Sequence, residues 1–598
     1  MKIELSNTTL SSFVGDVLPI WLRSDEDLKF AKIVWSAKGD AIILKSCAGC
    51  FHGAFRYGAF ITFVKAGTAT VTATLDDETF TCEVTVRERR DFSGEPMKFW
   101  HGDLHTHTTP EHEHDKYLTR TEYLIGDYLD YIAADGAGRD LAVMTDHSET
   151  IDLENFFRYF TEYEDRKGEI APIVYAGCEN EIMYSEEDRF GREHRLSGEL
   201  VAINAASFCQ ANTYPEFFYA FKNNPFAIGV FAHPHVVGIS TRGIWDYRPR
   251  LNHPKELTSL IKYVEVLNSP DGYENLIHEY VYSEALDAGY RVSTSCGSDQ
   301  HRDWDFRKFE AATIIMAPEK SREAFTDALL GLRAYACESG NVKLSYKVNG
   351  IAAPCDLPLA DKYHFDVKID YFRDDPATRP VRCEVISDGG KTLKVIEGVC
   401  FESFSFDIES SDARWFYLRF VDSKTYRTFS PPVFTGRAAS EYRVDDLAPI
   451  DSSKFKAVDG LGRNASVLVD GDTMTTYVAD GSEFTVTVDM GEKKCIKALG
   501  NYAALVDVME LRAKGLKSDY AEASLPVDYR ISTSLDGENF TTAREGLFRA
   551  FAGEEIVRFN PTDARYVRLD VLSTTGKRSG RAAFVNAPAK MALITLFE

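Results

Sequence analysis

The spacing of hydrophobic residues divides this chain into segments of two kinds. In the first kind, β-branched and aromatic residues fill short runs bounded by turn-forming residues, as in residues 59–64 and 68–75. Runs of this composition are typical of β-strands, and their close succession favours antiparallel sheets. Residues 1–95 are therefore predicted to form a small β-sandwich.

Residues 96–340 show the second kind of pattern, in which short apolar runs alternate with segments of helical periodicity. Helices are predicted at residues 121–133 and 321–332, where one face is apolar. Strands that alternate with helices usually pair in parallel and are buried on both faces, so an open sheet and a closed barrel would both fit. The predicted strands are residues 99–104, 141–144, 173–176, 227–231, 263–266 and 291–294.

Strand-like sequence returns after residue 340. Residues 341–440 are predicted to form a second β-sandwich, and a polar linker at 441–452 separates it from residues 453–598, which are again strand-like. The sandwich predicted for residues 1–95 is of the immunoglobulin-like kind. The expected fold class is a multidomain combination of one α/β domain with flanking all-β domains.

Size and charge restrict the classes of partner. A chain of 598 residues has room for roughly three to five domains. Its net charge of −24 repels nucleic-acid phosphates and anionic membranes, so we expect no long nucleic acid as partner, although a local basic pocket could hold a small anion. We expect neither a secretory leader nor a membrane span, because no apolar run approaches the ~20 residues that a span needs. The 11 scattered cysteines favour reduced thiols and a cytoplasmic protein.

Histidines are concentrated in the α/β region. Of the 14 histidines in the chain, 12 lie between His101 and His301. That window is about a third of the sequence, so even scatter would place roughly five histidines there. A metal centre or acid–base chemistry would explain the concentration, because imidazole is a common metal ligand and titrates near neutral pH.

Most of these histidines, together with several carboxylates, follow predicted strands. His105 and His107 are two residues apart on one strand, so both imidazoles project to the same face and can reach one ion. In α/β barrels, catalytic groups converge at the ends of the parallel strands. Separate core or surface histidines would explain any single case but not the joint pattern. The side chains expected to meet are His105, His107, Asp146, His147, Glu179, His233, His235, Asp299 and His301.

Five ordered motifs in this region resemble the polymerase and histidinol phosphatase (PHP) family. The resemblance covers residues 96–340 and implies a distorted seven-stranded, TIM-like β/α barrel. It also implies two or three divalent metal ions (zinc, manganese or iron) and the hydrolysis of phosphate esters. The motifs are Gly102-Asp103-Leu104-His105-Thr106-His107-Thr108, Thr145-Asp146-His147, Gly177-Cys178-Glu179, Ala232-His233-Pro234 and Gly297-Ser298-Asp299-Gln300-His301.

The resemblance implies a role for each motif residue. Three ion positions are expected, and Glu179 would bridge the first two. The first ion would be held by His105, His107, Glu179 and Asp299. The second would be held by Glu179, His233 and His194. The third would be held by His147 and His301 with His112 or His114, between which spacing does not choose.

Adjacent divalent ions explain how such a site would cleave a phosphate ester. They lower the pKa of a shared water from about 15.7 towards ~7, and the resulting hydroxide attacks phosphorus in line. The leaving group needs an acid, for which Asp146, His235 and a metal-bound water are the candidates. Phosphate oxygens need a cation, and each candidate for it could equally be an ordinary surface arginine. These candidates are Arg195, Arg242 and Arg302, and the residues expected to support the ligands from behind are His101, His235, Glu265 and Asn268.

Residues 453–598 resemble the discoidin, or coagulation-factor type C, fold, which includes many carbohydrate-binding modules. Tyr477 stands where that family usually has tryptophan, and the matching segments are 469–477, 486–491, 529–537 and 564–569. Glycan binding is left open, because no tryptophan follows Trp415. The family's structural calcium site maps to hard oxygen ligands, with a plain Asp-Gly turn as the alternative. These ligands are Asp470, Asp472, Thr475 and Glu598.

The leading hypothesis is a metal-dependent phosphoesterase that acts on a small or sugar-linked phosphate ester. One alternative is a nuclease that degrades short oligonucleotides by the same chemistry. Another is a non-catalytic glycan-binding protein with a vestigial barrel, against which the intact motifs count. The expected partners are a small phosphorylated substrate and, as a second candidate, carbohydrate.

Overall fold

A computed structural model of the chain describes most of its residues. Residues 181–187 and 193–198 are described by their backbone alone. None of the described helices is long and apolar enough to span a membrane. The described residues are 2–25, 28, 31–46, 57–108, 128, 132, 138–148, 172–187, 189–191, 193–205, 221, 224–234, 259–268, 274–287, 289–300, 309–398, 402–409, 413–436, 447–504, 523–548, 554–578 and 585–598.

The N-terminal part of the chain forms two four-stranded sheets that share one hydrophobic core. Strands β7 and β8 alternate buried and exposed residues, as expected of strands that pack on one face only. The sheet orders are β1-β3-β6-β5 and β2-β8-β7-β4. The strands are β1 (Ile3–Leu5), β2 (Thr9–Phe13), β3 (Val17–Ser24), β4 (Ile33–Lys38), β5 (Ile42–Ser46), β6 (Gly58–Phe63), β7 (Gly67–Leu75) and β8 (Glu78–Arg87).

The middle of the chain forms one continuous sheet whose neighbours follow in the order β15-β14-β13-β12-β11-β10-β9-β16-β17. Residues of its short strands are buried throughout, as predicted for strands covered on both faces. The strands are β9 (Lys98–Thr106), β10 (Leu141–Met144), β11 (Ile173–Glu187), β12 (Glu193–Ile203), β13 (Ile228–Phe231), β14 (Ile261–Asn268), β15 (Ser293–Gly297), β16 (Ala312–Ala317) and β17 (Ala334–Cys337), and the described helices are α1 (Glu274–Asp287) and α2 (Arg322–Leu330).

Strand direction in this sheet differs from the prediction at β12 and at β16, which pairs antiparallel with both β9 and β17. β9, β10 and β11 pair in parallel, and so do β13, β14 and β15. β12, which the hydrophobic pattern did not predict, pairs antiparallel with both β11 and β13. The connection between β11 and β12 explains the difference at β12, because a few residues can close only a hairpin, whereas a parallel pair needs a crossover of about a dozen or more.

The first and last strands of the β9–β15 run meet at their carboxyl ends. Thr106, at the end of β9, forms a parallel bridge with Gln300, just beyond β15. The His107 N–H donates to the Gln300 carbonyl at 3.0 Å, and the Asp299 N–H donates to the His105 carbonyl at 2.9 Å. The sheet therefore curves far enough to bring the chain after β15 beside the chain after β9.

The next part of the chain forms a second pair of sheets, one of which continues the middle sheet. The pairing of Cys337 in β17 with Thr428 in β26 joins the two. One sheet has the order β19-β18-β21-β24, and the other continues as β26-β25-β22-β23. The strands are β18 (Val342–Val348), β19 (Ile351–Ala352), β20 (Cys355–Leu357), β21 (Lys362–Tyr371), β22 (Pro380–Ser387), β23 (Lys391–Glu397), β24 (Ser403–Glu409), β25 (Trp415–Asp422), β26 (Arg427–Phe429) and β27 (Val433–Thr435).

The C-terminal part of the chain forms a seven-stranded sheet system with its own hydrophobic core. Its path is β29-β34-β30-β33-β31-β32, and β28 pairs with β30. We call this region the C-terminal domain. Its elements are β28 (Lys456–Asp459), β29 (Tyr477–Val478), β30 (Phe484–Ala503), β31 (Asp528–Ser534), β32 (Thr541–Leu547), β33 (Glu554–Val571), α3 (Thr575–Arg578) and β34 (Lys590–Phe597). The described chain is thus mostly β-sheet.

A buried carboxylate, Asp287, joins three parts of the molecule at the end of α1. It pairs with Arg544 of the C-terminal domain, and both side chains are almost fully buried. It also accepts hydrogen bonds from the Arg414 Nη2 at 3.1 Å and the Trp415 Nε1 at 3.0 Å. A buried carboxylate needs such donors, because removal from water costs several kcal/mol unless charge and hydrogen bonds compensate.

Replacement of Asp287 by alanine is expected to lower the free energy of unfolding by about 3–5 kcal/mol, because it removes the carboxylate from a buried guanidinium. Thermal unfolding measures the effect as a lower midpoint. Asp40→Ala is the control, since Asp40 pairs with Lys65 on an exposed surface and should shift the midpoint little. Equal midpoints for Asp287→Ala and the unmodified chain would contradict the prediction.

Candidate metal centre

Side chains from four strand ends meet where the middle sheet closes. His105 lies in β9 and His107 just after it, while Glu179 lies in β11. His233 follows β13, and Asp299 follows β15. All but Asp299 are buried, and the side chain of Asp299 is 25% exposed. The carboxyl ends of these strands therefore form a pocket floor of imidazoles and carboxylates that solvent reaches at one side.

One group of ligand atoms surrounds the imidazoles of His105 and His107. The two Nε2 atoms lie 3.1 Å apart. Asp299 Oδ1 lies 3.0 Å from His107 Nε2, and the Glu179 carboxylate lies 3.2 Å from His105 Nε2 and 3.3 Å from His107 Nε2. These four residues offer one ligand atom each, all within 4.8 Å of one another, which is the spacing that a single ion needs.

A second group lies on the other side of the Glu179 carboxylate. His233 Nε2 is 3.1 Å from Glu179 Oε1 and 3.1 Å from Glu199 Oε2. His147 Nδ1 is 3.4 Å from Glu179 Oε2 and 3.9 Å from Glu199 Oε1. His147, Glu179 and Glu199 again offer ligand atoms within 4.8 Å of one another. Glu179 thus belongs to both groups and is placed to bridge two ions.

Glu199 is the ligand candidate that the sequence did not predict. The resemblance implied His194 for the second ion, but the hairpin register places His194 opposite Glu186. At ~3.3 Å per residue, the backbone of His194 lies roughly 16 Å along β12 from that of Glu199. The side chain of His194 lies outside what the structure describes, so its role as a ligand stays a prediction, and Glu199 adds a carboxylate that the resemblance did not imply.

Glu265 orients two of the histidines from behind. His105 Nδ1 lies 3.3 Å from Glu265 Oε1, and the His233 N–H donates to Glu265 Oε2 at 2.7 Å. The Asn268 side chain donates to the same oxygen at 2.9 Å. Because a carboxylate accepts hydrogen bonds, the contact with Glu265 favours a proton on His105 Nδ1, and Nε2 is the ring nitrogen that faces the cluster.

Two of the ligand candidates have a backbone conformation that L-residues rarely adopt. His233 has φ of 22° and Asp299 has φ of 51°. Such conformations cost of order 1–3 kcal/mol each and persist only where the surroundings enforce them. Here the enforcing contacts are the Glu265 carboxylate at the His233 N–H and the His105 carbonyl at the Asp299 N–H.

The carboxylates of the cluster raise the pKa values of the neighbouring side chains. Burial lowers the pKa of His107, but hydrogen bonds to Asp299 and Glu179 outweigh it and raise that pKa to about 9. Burial likewise opposes the charge on His233, yet Glu179 and Glu199 raise its pKa to about 10. The Glu199 pKa rises to about 8 through burial and then the Glu179 charge. Protons and divalent cations therefore compete for the same atoms.

Asp146 holds the loop after β9 rather than lying among the ligand atoms. Its carboxylate accepts from the Thr108 N–H at 2.7 Å and from the Thr108 hydroxyl at 2.5 Å. This arrangement fixes the chain that follows His107, so it supports a positioning role for the residue predicted as a candidate acid.

Several predicted site residues lie outside what the structure describes. The side chain of Arg195 is in this group, although its backbone is part of β12. The acid candidate His235 and two cation candidates also belong to it, as do three ligands of the predicted third ion. These residues are His112, His114, His235, Arg242, His301 and Arg302.

Three of the four predicted calcium ligands lie within one turn of the C-terminal domain. Asp470, Asp472 and Thr475 share one exposed turn, in which the Thr475 hydroxyl donates to Asp470 at 3.2 Å and to the Asp472 carbonyl at 2.9 Å. The backbone of Glu598 pairs with Ala448. The calcium site therefore stays a prediction, with the plain Asp-Gly turn as its alternative.

Comparison with known proteins finds similarity over a limited part of the chain. No protein-family profile matches the sequence. Among solved structures, a family 32 carbohydrate-binding module of Clostridium perfringens, in complex with GalNAc-β-1,3-galactose, is 18% identical, with 25% of this chain and 100% of that chain covered and a TM-score of 0.20. Another module of that family and organism, in complex with galactose, is 16% identical, with 25% and 99% covered and a TM-score of 0.20. A putative chitobiase fragment from Bacteroides thetaiotaomicron is 14% identical, with 26% and 95% covered and a TM-score of 0.21.

Gly297→Ala is expected to weaken metal binding by roughly 10–100-fold, the usual effect of disturbing the groups that orient ligands. A Cβ at this position would lie 1.9 Å from Glu265 Oε1 and 2.4 Å from His105 Cβ, so both side chains would have to move. Competition with a chelating indicator measures the affinity. Gly481→Ala is the control, because nothing lies within 4 Å of its Cβ position. Unchanged affinity in Gly297→Ala would contradict the role of this contact.

Metal binding at pH 7 is expected to release protons. The raised pKa values of His107 and His233, about 9 and about 10, mean that both imidazoles carry at pH 7 a proton that an ion must displace. Affinity should therefore rise as the pH is raised from 6 to 9. Titration calorimetry in buffers of different ionisation enthalpy counts the protons, and heats that do not depend on the buffer would refute this expectation.

Proposed function

We propose that this protein is a metal-dependent hydrolase of phosphate esters, built on the PHP-type barrel that its motifs resemble. The observation that carries the proposal is the buried group of His105, His107, Glu179 and Asp299, whose ligand atoms lie within 4.8 Å of one another. Imidazole nitrogens and carboxylate oxygens are the donors that zinc, manganese and iron ions take in proteins. A second group, centred on Glu199, supports a centre of at least two ions.

The proposed barrel is supported by the way the middle sheet closes. Seven strands, β9 to β15, follow one another in the sheet, and the Thr106–Gln300 bridge joins the two ends of the run. His105, His107 and Asp299 lie at this junction, and Glu179 and His233 come within 3.2 and 3.9 Å of His105 and Asp299. In barrels of parallel strands and helices, active sites lie at the carboxyl ends of the strands.

Each residue of the cluster has a task in such a reaction. Divalent ions held here would acidify water and neutralise charge on the phosphate oxygens. Glu179 would join the two ion positions, and Glu265 would keep His105 in the tautomer that presents Nε2. The partly exposed carboxylates Asp299 and Glu199 border the open side of the cluster, where a substrate would enter.

Elemental analysis of the purified protein tests the metal centre. We expect two or three ions of zinc, manganese or iron per chain, and a loss of metal in His105→Ala and Asp299→Ala. His364→Ala is a matched control, because His364 is a histidine paired with Asp407 on an exposed strand far along the sequence from the cluster. A metal content that is near zero, or equal in all four proteins, would refute the proposed function.

A panel of phosphate esters tests the substrate class. Turnover of sugar phosphates or of p-nitrophenyl phosphate would support the small-substrate hypothesis, and cleavage of short oligonucleotides would support the nuclease alternative. Each activity should vanish in Asp299→Ala and survive in His364→Ala. Metal binding without any turnover would favour a non-catalytic protein.

Glycan binding by the C-terminal domain is the second candidate function. The modules similar to part of this chain were solved with galactose and GalNAc-β-1,3-galactose. Binding of these two sugars can be measured by calorimetry on the full chain, with and without metal. Such binding would be compatible with hydrolysis, since the two sites would lie in different domains.

A further inference from the structure

The hairpin formed by β11 and β12 extends beyond the sheet that carries the metal cluster. β11 pairs with β10 only as far as Ala176, and β12 pairs with β13 only as far as Leu200. Among the described strands, residues 180–187 and 193–198 pair only with each other. We call these two segments the ribbon. Eight residues at ~3.3 Å each give it a length of roughly 25 Å.

The base of the ribbon carries two carboxylates of the metal cluster. Glu179 and Glu199, the two carboxylates of the second ligand group, lie at its base on opposite strands. Isolated two-stranded ribbons are marginally stable and twist strongly, so a ribbon held only at its base would let the two strands move relative to each other. The separation of the two carboxylates therefore depends on what holds the far end.

The C-terminal domain holds the tip of the ribbon through a charge pair in which the carboxylate is buried and the arginine is about one third exposed. Arg189 donates to Glu554 through Nε at 2.5 Å and Nη2 at 2.9 Å. Nη2 also donates to the Thr595 hydroxyl at 2.6 Å. The Glu554 side chain is only 4% exposed, and a two-pronged arginine–carboxylate contact of this kind is among the strongest in proteins.

Aromatic packing completes the contact at the tip. The ring of Phe190 meets that of Tyr502 edge to face, with 5.3 Å between centroids. The Arg189 guanidinium lies over Phe190 at 4.2 Å and over Phe597 at 5.6 Å. Cation–π and edge-to-face contacts both favour one orientation, so they fix the direction of the ribbon as well as its position.

We propose that Arg189 and Glu554 are positioning residues for the metal centre, and that the C-terminal domain is therefore a structural part of that centre. The inference rests on the proposed function only in assuming that the cluster binds metal. Glu199 should be the more sensitive carboxylate. The Glu179 backbone makes two hydrogen bonds to the chain after β10, since its N–H donates to the Asp146 carbonyl at 3.1 Å and its carbonyl accepts from the Ser148 N–H at 2.8 Å. The Glu199 backbone makes one longer bond of this kind, in which its carbonyl accepts from the Ala232 N–H at 3.3 Å.

Loss of the tip contact should therefore remove one ion selectively. The group of His105, His107, Glu179 and Asp299 does not include a side chain beyond the base of the ribbon and should keep its ion. The group that contains Glu199 should bind its ion more weakly. A general loss of folding would instead affect both groups together with the thermal midpoint.

Arg189→Ala and Glu554→Gln test the proposal in the full-length chain loaded with Mn²⁺. After gel filtration, elemental analysis should give about one ion fewer per chain than in the unmodified protein, and the second ion should bind roughly 10–100-fold more weakly. The kcat for p-nitrophenyl phosphate should fall about as far, with a smaller change in KM. Arg189→Lys should restore part of the metal content, because it keeps one charged donor.

Arg87→Ala is the matched control. Arg87 makes the same kind of contact between parts of the molecule, since its Nη1 and Nη2 donate to Glu323 at 2.6 Å and 2.7 Å and it lies over the ring of Phe13. Its metal content should equal that of the unmodified protein. An unchanged metal content in Arg189→Ala, equal losses in Arg189→Ala and Arg87→Ala, or loss of every ion together with a lower thermal midpoint would overturn the proposal.

The unmodified protein separates this test from that of the proposed function. If it binds Mn²⁺ but turns over no phosphate ester, the hydrolase proposal fails and the metal contents of the variants still decide the role of Arg189. If it binds no metal, the positioning proposal is overturned together with the proposed function.

Discussion

The burial of Glu179 among imidazoles is the interaction on which the rest of the structure depends. Its carboxylate is 1% exposed and lies between 3.1 and 3.4 Å from nitrogen atoms of four histidines. A buried carboxylate without compensating charge would cost several kcal/mol, so the strands that carry these histidines must end beside β11. Conversely, four imidazoles packed this closely are stable only when a negative charge or a shared cation lies between them. The four histidines are His105, His107, His147 and His233.

The parts of the molecule outside the middle sheet fix the geometry of that interaction. Asp287 ties the end of α1 to Arg414 and Trp415 and to Arg544 of the C-terminal domain. The Arg189–Glu554 pair ties the ribbon to the same domain at a second point. Two ionic contacts at separate places, one buried and one partly exposed, restrict rotation as well as translation, so the C-terminal domain and the sheet are expected to move as one body.

Local sequence patterns predict the strands and helices, which depend on residues close in sequence. They do not predict which residues of paired strands lie opposite each other. Hydrophobic runs and periodicity predict the strands at 141–144 and 228–231 and the helix at 322–330. Four ligand candidates meet because each stands just beyond a predicted strand, namely His105, Glu179, His233 and Asp299. Glu199 lies in β12, a strand that the hydrophobic pattern did not predict. Its place beside Glu179 appears only when β12 is folded back on β11, with Val201 opposite Glu179. The apolar run at 200–203 was the one available signal for that strand.

His233 and Asp299 have a strained backbone at the points where each presents a ligand atom to the cluster. Glycine or asparagine would adopt such φ values at lower cost, and neither residue stands there. Gly297 shows the reverse requirement, because here only glycine fits: any side chain would collide with Glu265 and His105. A glycine at position 297 leaves room for the His105 and Glu265 side chains. The positive φ at His233 and Asp299 costs about 1–3 kcal/mol for each residue. Positive φ values also occur at Leu332 and Thr425, outside the cluster, so the strain alone does not mark a site. At His233 and Asp299 the strained backbone places ligand atoms against Glu179 and His107, which supports the proposal of a binding centre.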